Sequence, residues 1–291
     1  MSAVLAPIRA ARLRRLAVEA GSVALGVVIA VWSLLPIYNM FLVALDRYGH
    51  NEFAGRLWPE HPTLAIFAAV LRESADDVRQ FWHQFANSLF IGVLVTVATV
   101  TVASLAAFAI GRMRVVREAT LTGTALLIYA IPASTLIIPF IRIMKIYGLS
   151  DNLWAVIAAD VTFATPYAIL VLQYYAKLIP AELDDAARID GASVPQIYLR
   201  IYLPLMAPAL AAVGTYAMLY AWNDYFYQYM LLMSERHTTI AVALEQFFDD
   251  DDAPYNYMMA IAILYSLPPI ATFYALRRFM ATGLTAGGAK G

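Results

Sequence analysis

The chain has 291 residues, of which 62% are hydrophobic and only 14% are charged. Soluble domains carry about 25% charged residues, so this composition excludes an ordinary soluble enzyme and a disordered chain. The net charge of −1 gives no overall basic field for nucleic acid, and the absence of cysteine excludes disulfides, thiolate catalysis and Cys-based zinc or iron–sulfur sites.

Six long apolar runs follow one another along the chain. A helix that crosses a bilayer needs about 20 mostly apolar residues, and buried helices of soluble proteins are seldom so long. Asp160 interrupts the fourth run and Asp224 follows the fifth, while the other runs hold no acidic residue, lysine or arginine. The runs are residues 20–45, 81–111, 119–141, 152–176, 201–223 and 253–276. The pattern predicts an all-α integral membrane protein with six transmembrane helices.

These runs also predict how the chain is organised. The first run is too long for the apolar part of a cleaved signal peptide, which spans about 7–15 residues, so we expect an uncleaved anchor. The predicted segments are an N-terminal tail at 1–19, the first helix at 20–45, a long loop at 46–80, a five-helix core at 81–279 and a C-terminal tail at 280–291.

The distribution of basic residues predicts the orientation. If the N-terminus is cytoplasmic, 13 of the 20 basic residues lie in cytoplasmic segments and 7 in external ones. Cytoplasmic segments of membrane proteins carry an excess of lysine and arginine. We therefore expect both termini in the cytoplasm and the loop at 46–80 outside.

The segment between the fourth and fifth runs has the features of two short helices. Pro180 suits a first helical position, and the acidic residues after it favour the positive end of a helix dipole. Gly191 can end this helix in the left-handed conformation, and Ser193 and Gln196 can form a capping box for a second helix. On the residues alone, the segment is either a plain connector or a small helix that fits a groove of another protein.

The same segment resembles the EAA loop of ABC importer permeases. One acidic residue and two alanines are followed after three residues by a glycine, and after nine more by the pattern Ile-x-Leu-Pro. The first position is Asp where that family usually has Glu, which keeps the charge. The matching residues are Asp185, Ala186, Ala187, Gly191, Ile201, Leu203 and Pro204. Residues 179–204 are called the EAA loop below.

Further stretches resemble the carbohydrate-uptake class of these permeases, the maltose-type, binding-protein-dependent family. The resemblance covers residues 81–291 closely and the first helix loosely. The stretches that carry it are Asn87-Ser88-Leu89, Ile131-Pro132, residues 136–139, residues 147–151, Trp222-Asn223-Asp224 and the tail at 283–291.

The resemblance implies a type I ABC importer permease fold with a cytoplasmic coupling helix, in the inner membrane of a prokaryote. It implies four kinds of partner: a second, homologous permease, two copies of an ABC ATPase, an external binding protein and the small sugar it delivers. The EAA loop would seat in the ATPase and couple its closure to movement of the helices. The sequence holds no Gly-x-x-x-x-Gly-Lys-Ser/Thr phosphate loop. We therefore expect no catalytic residue and no cofactor in this chain, with ATP and magnesium bound by the partner subunit.

Two acidic residues at membrane depth are candidates for the substrate path. Such residues usually face the interior of the helix bundle or a water-filled path. Asp224 could brace a helix, accept hydrogen bonds from sugar hydroxyls, or pair with a basic residue of the partner permease. Aromatic rings beside it could stack on sugar rings. The candidate path consists of Asp160, Trp222, Asn223, Asp224 and Tyr225.

Other chemistries have weaker support in the sequence. The four histidines lack metal-ligand spacing, so we expect no metal site, and the acidic run at 249–252 is either a solvated loop or a contact for calcium or the binding protein. An intramembrane enzyme would need a nucleophile and a base at depth, and no histidine lies in the middle of a run. A secondary transporter without an ATPase partner is the alternative function, although it would have no use for an EAA loop.

Overall fold

The computed structural model describes residues 2–47, 57–59, 61–113, 120, 123–124, 127–128, 131–248 and 254–288. These residues are mostly helical, and the β-type pairing among them is one isolated antiparallel bridge between Asp46 and Pro62. The chain divides into two compact units. One comprises residues 1–77 and 254–263, and the other comprises residues 78–253 and 264–291.

The first unit contains the N-terminal helix α1, Ser2–Leu45, and the short helix α2, Ala65–Arg72. The apolar side chains of α1 between residues 16 and 37 are exposed, as expected for a helix surrounded by lipid or by another chain. The helix starts at Ser2 rather than at residue 20, so the predicted N-terminal tail continues the helix. The Asn256 side chain donates a hydrogen bond to the carbonyl oxygen of Asp46 at 3.1 Å.

The second unit is a helical bundle around one long central helix. Its helices are α3 (Phe81–Met113), α4 (Ile137–Ile146), α5 (Leu153–Ala176), α6 (Glu182–Ile189), α7 (Val194–Ile197), α8 (Ala207–Asn223), α9 (Phe226–Leu231) and α10 (Ile240–Gln246), and most of α11 (Tyr255–Gly288), which begins in the first unit, completes it. Helices α3, α5 and α8 pack against one another in the centre. Their contacts use small residues such as Gly92, Ala103 and Ala164, which let helix backbones approach closely.

The structure describes four helices that are long and apolar enough to cross a membrane, and one bent pair that adds a fifth span if it is counted as one. The four spans are Arg14–Leu45, Asp76–Met113, Leu153–Ala176 and Tyr255–Phe279. These correspond to the first, second, fourth and sixth predicted runs. Seven of the 23 residues of the third run lie outside the described residues, all of them before residue 131, so the count of six stays a prediction.

The described end of the third run is not one continuous helix. Pro132 has φ −57° and ψ 126°, which is an extended conformation, and a 3₁₀ turn at Ala133–Leu136 separates it from α4. A proline has no N–H group to donate within a helix, so a helical run breaks before it. Helix α4 then continues to Ile146, five residues beyond the predicted end at 141.

The fifth run is also bent rather than straight. The segments Val194–Leu205 and Ala207–Asn223 meet at an angle of 78°. Pro204 and Pro208 flank the bend, and each removes a backbone N–H group that a straight helix would use. The straight part of the span therefore starts at Ala207 rather than at residue 201, whereas its end at Asn223 agrees with the prediction.

Candidate coupling loop and intramembrane polar cluster

Helix α6 of the EAA loop ends as the sequence predicts. Gly191 adopts φ +81°, in the left-handed region that favours glycine. The N–H of Ala192 donates to the carbonyl of Ala187 at 2.9 Å, and the N–H of Gly191 donates to the carbonyl of Arg188 at 3.1 Å. This pair of bonds is a Schellman motif, which satisfies two of the free carbonyls at the helix end.

The second helix of the EAA loop also begins as predicted. The N–H and the hydroxyl of Ser193 both donate to Oε1 of Gln196, at 2.7 and 3.0 Å. A single π-type turn at Tyr198–Tyr202 follows, and then the bend at residue 206. The loop is thus two short helices, the first ended by a Schellman motif and the second begun by a capping box, which lead into a span that bends by 78°.

The EAA triplet is divided between two faces of α6. Asp184 and Ala187 are buried on the inner face, whereas Asp185 and Ala186 are exposed. A helix repeats every 3.6 residues, so the exposed residues form one outward stripe. The stripe consists of Glu182, Asp185, Ala186 and Ile189. Ile189 is 86% exposed, so the stripe also presents an apolar side chain.

The inner face of α6 is held by an apolar cluster at one end of the bundle. Ala187, Ile197 and Tyr202 of the loop pack with Phe108 of α3 and Leu172 of α5. The rings of Phe108 and Tyr202 meet edge to face with their centroids 5.0 Å apart. The inner face of the loop is therefore packed against the bundle, which fixes the orientation of the outward stripe.

The other predicted coupling residues lie at the bend. Ile201 and Leu203 are half-buried, and Pro204 is exposed. They do not belong to the outward stripe of α6. Ile201 lies in the π-type turn, and Leu203 and Pro204 lie between that turn and Ala207, so this part of the motif forms the passage from the loop into α8.

The Trp-Asn-Asp stretch marks a second break, at the end of the fifth run. Helix α8 ends at Asn223, and Asp224 has φ −73° and ψ 105°, an extended conformation. Oδ1 of Asp224 accepts a hydrogen bond from the N–H of Tyr227 at 3.2 Å, and the Gln228 side chain donates to the carbonyl of Ala221 at 3.0 Å. Side chains thus replace the backbone bonds that the break removes, as the membrane interior requires.

Asp160 and Asp224 lie together in the bundle. Their carboxyl groups come within hydrogen-bonding reach of each other, and Asp160 is 1% exposed. Among the described residues, no N–H or O–H donor is bonded to either oxygen of Asp160 or to Oδ2 of Asp224. Buried carboxyl oxygens normally accept hydrogen bonds, so this pair is a site of unmet acceptor capacity.

The remaining candidates for the substrate path point elsewhere. Trp222 stacks on Tyr265 with the ring centroids 4.6 Å apart. The indole N–H of Trp222 donates to the Tyr265 carbonyl at 3.1 Å, and the Tyr265 hydroxyl donates to the Trp222 carbonyl at 2.6 Å. Asn223 is exposed and donates to the carbonyl one turn back, and Tyr225 stacks on Tyr229. Of the five predicted residues, the structure brings only the two carboxylates to a common point.

Two polar contacts of the bundle were not predicted from the sequence. Arg112, at the end of α3, forms an ion pair with Asp184 of the EAA loop, with 3.0 Å between Nε and Oδ2. At the other end of the bundle, Oδ1 of Asp151 accepts hydrogen bonds from the N–H groups of Met233 and Ser234, at 2.8 and 3.1 Å. The sequence does single out Arg112, because it is the first charged residue after the second apolar run. No sequence pattern indicates that its partner is Asp184, 72 residues away.

Electrostatics at Asp151 follow from these contacts. Burial alone would raise the pKa of Asp151. Hydrogen bonds from Met233, Ser234 and His237 outweigh that effect and lower the pKa to about 2. The carboxylate is therefore charged at neutral pH and holds the segment after α9 in place.

No group of three or more metal-ligating side chains occurs in the part of the chain that the structure describes. His50 and the acidic run at 249–252 lie outside that part.

Comparisons with known proteins agree on one family. Residues 99–285 match the family described as binding-protein-dependent transport system inner membrane component. The chain is 30% identical over 267 residues to the inner membrane ABC transporter permease protein YcjP of Escherichia coli (strain K12), covering 90% of this chain and 94% of that relative. It is 32% identical over 267 residues to the maltodextrin transport system permease protein MdxG of Bacillus subtilis (strain 168), covering 89% and 92%.

The fold is also similar to a solved structure. A chain of a bacterial ABC transporter involved in the import of the acidic polysaccharide alginate superposes with a TM-score of 0.74 at 23% identity, over 91% of this chain and 96% of that chain. At this identity the likeness shows a shared fold.

Proposed function

The chain belongs to the family of inner membrane components of binding-protein-dependent transport systems, and we propose that it forms half of the translocation path of an ATP-driven sugar importer. In this proposal a separate ATPase supplies the energy and acts through the EAA loop. The chain itself is a multi-pass permease subunit with no catalytic role.

The outward stripe of α6 is the observation that carries the coupling part of the proposal. It combines two carboxylates, one small alanine and an isoleucine that is 86% exposed, on a short helix that ends in a Schellman motif. A helix of this kind fits an apolar groove lined by basic residues. The apolar contacts would provide affinity, and the charged pairs would fix the position of the helix along the groove. The buried inner face of α6 supports this role. A displacement of α6 can move the other helices only if α6 is packed firmly against them.

The partners follow from the family. We propose a second, homologous permease, two copies of an ATPase beneath the pair, and an external binding protein that delivers the sugar. The exposed apolar length of α1 supports contact with lipid or with the second permease. The sugar class rests on the names of relatives such as the maltodextrin permease and on the sequence stretches that resemble sugar permeases.

The path itself is proposed to pass near Asp160 and Asp224. Their free acceptor oxygens suit hydroxyl donors, which every sugar carries. In the described state Asp160 is closed off from solvent. Contact with sugar would therefore require that the helices move apart during the cycle.

One charge reversal tests the docking of the ATPase. Asp185→Arg places the wrong sign on the outward stripe, and we expect the amount of ATPase that co-purifies with the permease to fall about tenfold. Arg188→Ala, on the flank of the same helix, is the matched control and should retain the ATPase. Equal recovery of ATPase from the wild type and Asp185→Arg would refute docking through this face.

The orientation is tested on the same cysteine-free background. We propose that the EAA loop is cytoplasmic and that the turn before α5 is external. Cysteines at the exposed positions Ser193 and Ser150 report the two ends of the bundle. In intact cells an impermeant maleimide should label Ser150→Cys and leave Ser193→Cys unlabelled; the reverse pattern would invert the topology.

A further inference from the structure

Arg112 connects helix α3 to the EAA loop through two contacts. Its Nε lies 3.0 Å from Oδ2 of Asp184, in the first turn of α6. Its Nη2 donates a hydrogen bond to the carbonyl of Ile179 at 3.0 Å, just before α6. One guanidinium thus holds both the start of the loop and the inner face of its first helix.

The ion pair is well shielded from water. The side chains of Arg112 and Asp184 are only 11% and 10% exposed. Solvent screens such a pair far less than a surface pair, and removing one partner leaves a buried charge without compensation. An arginine suits this position because its planar group can bind a carboxylate and a carbonyl at once, which a lysine cannot do with the same geometry.

The connectivity of the chain makes these contacts important. The EAA loop is joined covalently to α5, which precedes it, and to α8, which follows it. Helix α3 is 33 residues long, about 50 Å, and its described contacts with the loop are made by its side chains. Any displacement of the loop reaches α5 and α8 through the backbone, but it reaches the end of α3 through Arg112 and its neighbours.

Aromatic contacts support the same junction. Phe108, one turn before Arg112, packs edge to face against Tyr198 and Tyr202 of the loop, with ring centroids 5.2 and 5.0 Å apart. The hydroxyls of Ser104 and Tyr198 are 2.8 Å apart and share a hydrogen bond. The last three turns of α3 therefore contact both α6 and the π-type turn that follows α7, and Arg112 is the charged contact among them.

From this arrangement we infer that Arg112 is a positioning residue for coupling, which makes α3 move with the EAA loop when the ATPase closes. The inference rests on the proposed function, because it needs the loop to be the element that the ATPase displaces. Arg112 does not belong to the outward stripe. It acts on transport through α6, without being part of the surface proposed to bind the ATPase.

The test compares binding, hydrolysis and transport in one assembly. The permease pair, its ATPase and its binding protein are reconstituted in liposomes, and sugar uptake is measured per ATP hydrolysed. For Arg112→Gln we expect normal co-purification of the ATPase and a fall of about tenfold in uptake per ATP, within the range of coupling effects between sites. Arg112→Lys, which keeps the charge, should fall between Arg112→Gln and the wild type.

Arg142→Gln is the matched control for the loss of an arginine. Arg142 is exposed on α4, away from the loop, and its replacement should leave uptake per ATP unchanged. If Arg112→Gln does not accumulate in the membrane, the double variant Arg112→Gln/Asp184→Asn takes its place, because it leaves no unpaired buried charge. The same tenfold fall is expected for it.

The outcomes separate this inference from the proposed function. An unchanged uptake per ATP in Arg112→Gln, or in the neutral double variant, overturns the role of Arg112 and leaves docking through α6 intact. Loss of ATPase co-purification in Arg112→Gln also overturns it, because the residue would then act on docking. A wild-type permease that binds no ATPase would overturn the proposed function and this inference with it.

Discussion

The α-carbon of Gly191 faces open space, and no atom would meet a side chain added there. The constraint at this position is therefore the backbone angle of +81° alone. A side chain in this conformation costs about 1 kcal/mol or more, most for a β-branched residue and least for asparagine. The glycine sets the direction in which the chain leaves α6.

Substitution of Gly191 should affect coupling more than membrane insertion. We expect Gly191→Val to reach the membrane at normal levels but to lose ATPase co-purification or transport, because α6 can no longer end in its Schellman motif. Gly191→Asn is the matched control and should keep most activity. Quantitative co-purification and uptake measure both, and a fully active Gly191→Val would show that the end of α6 is not strained by a side chain.

The pair of Asp160 and Asp224 predicts how substitutions of Asp224 change the stability of the protein. Asp224→Asn keeps an oxygen for the N–H of Tyr227 and adds an N–H₂ group that can donate to Asp160. Asp224→Leu supplies neither. It removes the acceptor of the Tyr227 N–H, at a cost of about 1–3 kcal/mol, and leaves Asp160 without a donor, as in the wild type. We expect the melting temperature of the purified complex to rank Asp224→Asn above Asp224→Leu.

The same variants separate the three roles of Asp224. A bracing role changes stability and leaves the preference among sugars unaltered. A place on the sugar path changes that preference while the complex still assembles, and a pair with the second permease reduces its co-purification. If Asp224→Leu assembles, melts and transports like the wild type, then Asp224 has none of these roles.

Asp151 gives a pH dependence whose sign is fixed by its contacts. Its pKa of about 2 lies below the ordinary value near 3.9, so the carboxylate stabilises the folded protein above pH 4, and this stabilisation is lost as the pH falls towards 2. Asp151→Asn should therefore melt below the wild type at pH 7, and the gap should narrow at pH 3. Thermal melts of detergent-purified protein measure the gap, and a gap of equal size at both pH values would contradict this account.

At the scale of elements, two glycines in helices give a matched test of packing. A β-carbon on Gly92 of α3 would lie 2.9 Å from Sδ of Met218 and 3.3 Å from the Trp222 ring, whereas one on Gly214 of α8 would lie no closer than 3.7 Å to any neighbour. The first glycine permits close contact of α3 with α8, and the second does not need to be a glycine.

Opposite effects on stability should follow from this difference. Gly92→Val should destabilise the folded protein by about 1–3 kcal/mol because it overfills the contact. Gly214→Ala should be neutral or stabilise the helix by up to about 1 kcal/mol, because alanine is the better helix former. Unfolding monitored by thermal melts compares the two variants, and a Gly92→Val variant as stable as the wild type would show that the contact between α3 and α8 has room for a larger side chain.

The elements also show where sequence reasoning succeeds and where it stops. Apolar length located the spans that begin near residues 81, 152 and 253, because a bilayer imposes that length on any helix that crosses it. It could not place the breaks at residues 132, 206 and 224. The breaks at residues 132 and 224 also depend on side chains of α9, because Tyr227 donates to the carbonyl of Ala133 and Gln228 donates to that of Ala221.

Across the whole molecule, features that depend on neighbouring residues could be predicted from the sequence, whereas contacts between distant residues could not. The glycine and the capping box of the EAA loop could be predicted because their partners are within a few residues. Three other features join parts of the chain that are far apart in sequence. They are the burial of Ala187 against the bundle, the ion pair of Arg112 with Asp184, and the contact of Asp160 with Asp224. They depend on the packing of the bundle, which no local pattern specifies.

The central claim is that this permease moves sugar with energy delivered by a separate ATPase. The most direct measurement is uptake of a panel of radiolabelled sugars, including trehalose and maltodextrins, into liposomes that contain the permease pair with or without the ATPase and binding protein. We predict uptake of at least one sugar only when ATPase, ATP and loaded binding protein are all present. Uptake without the ATPase, driven by a proton or sodium gradient, would contradict the account and favour a secondary transporter.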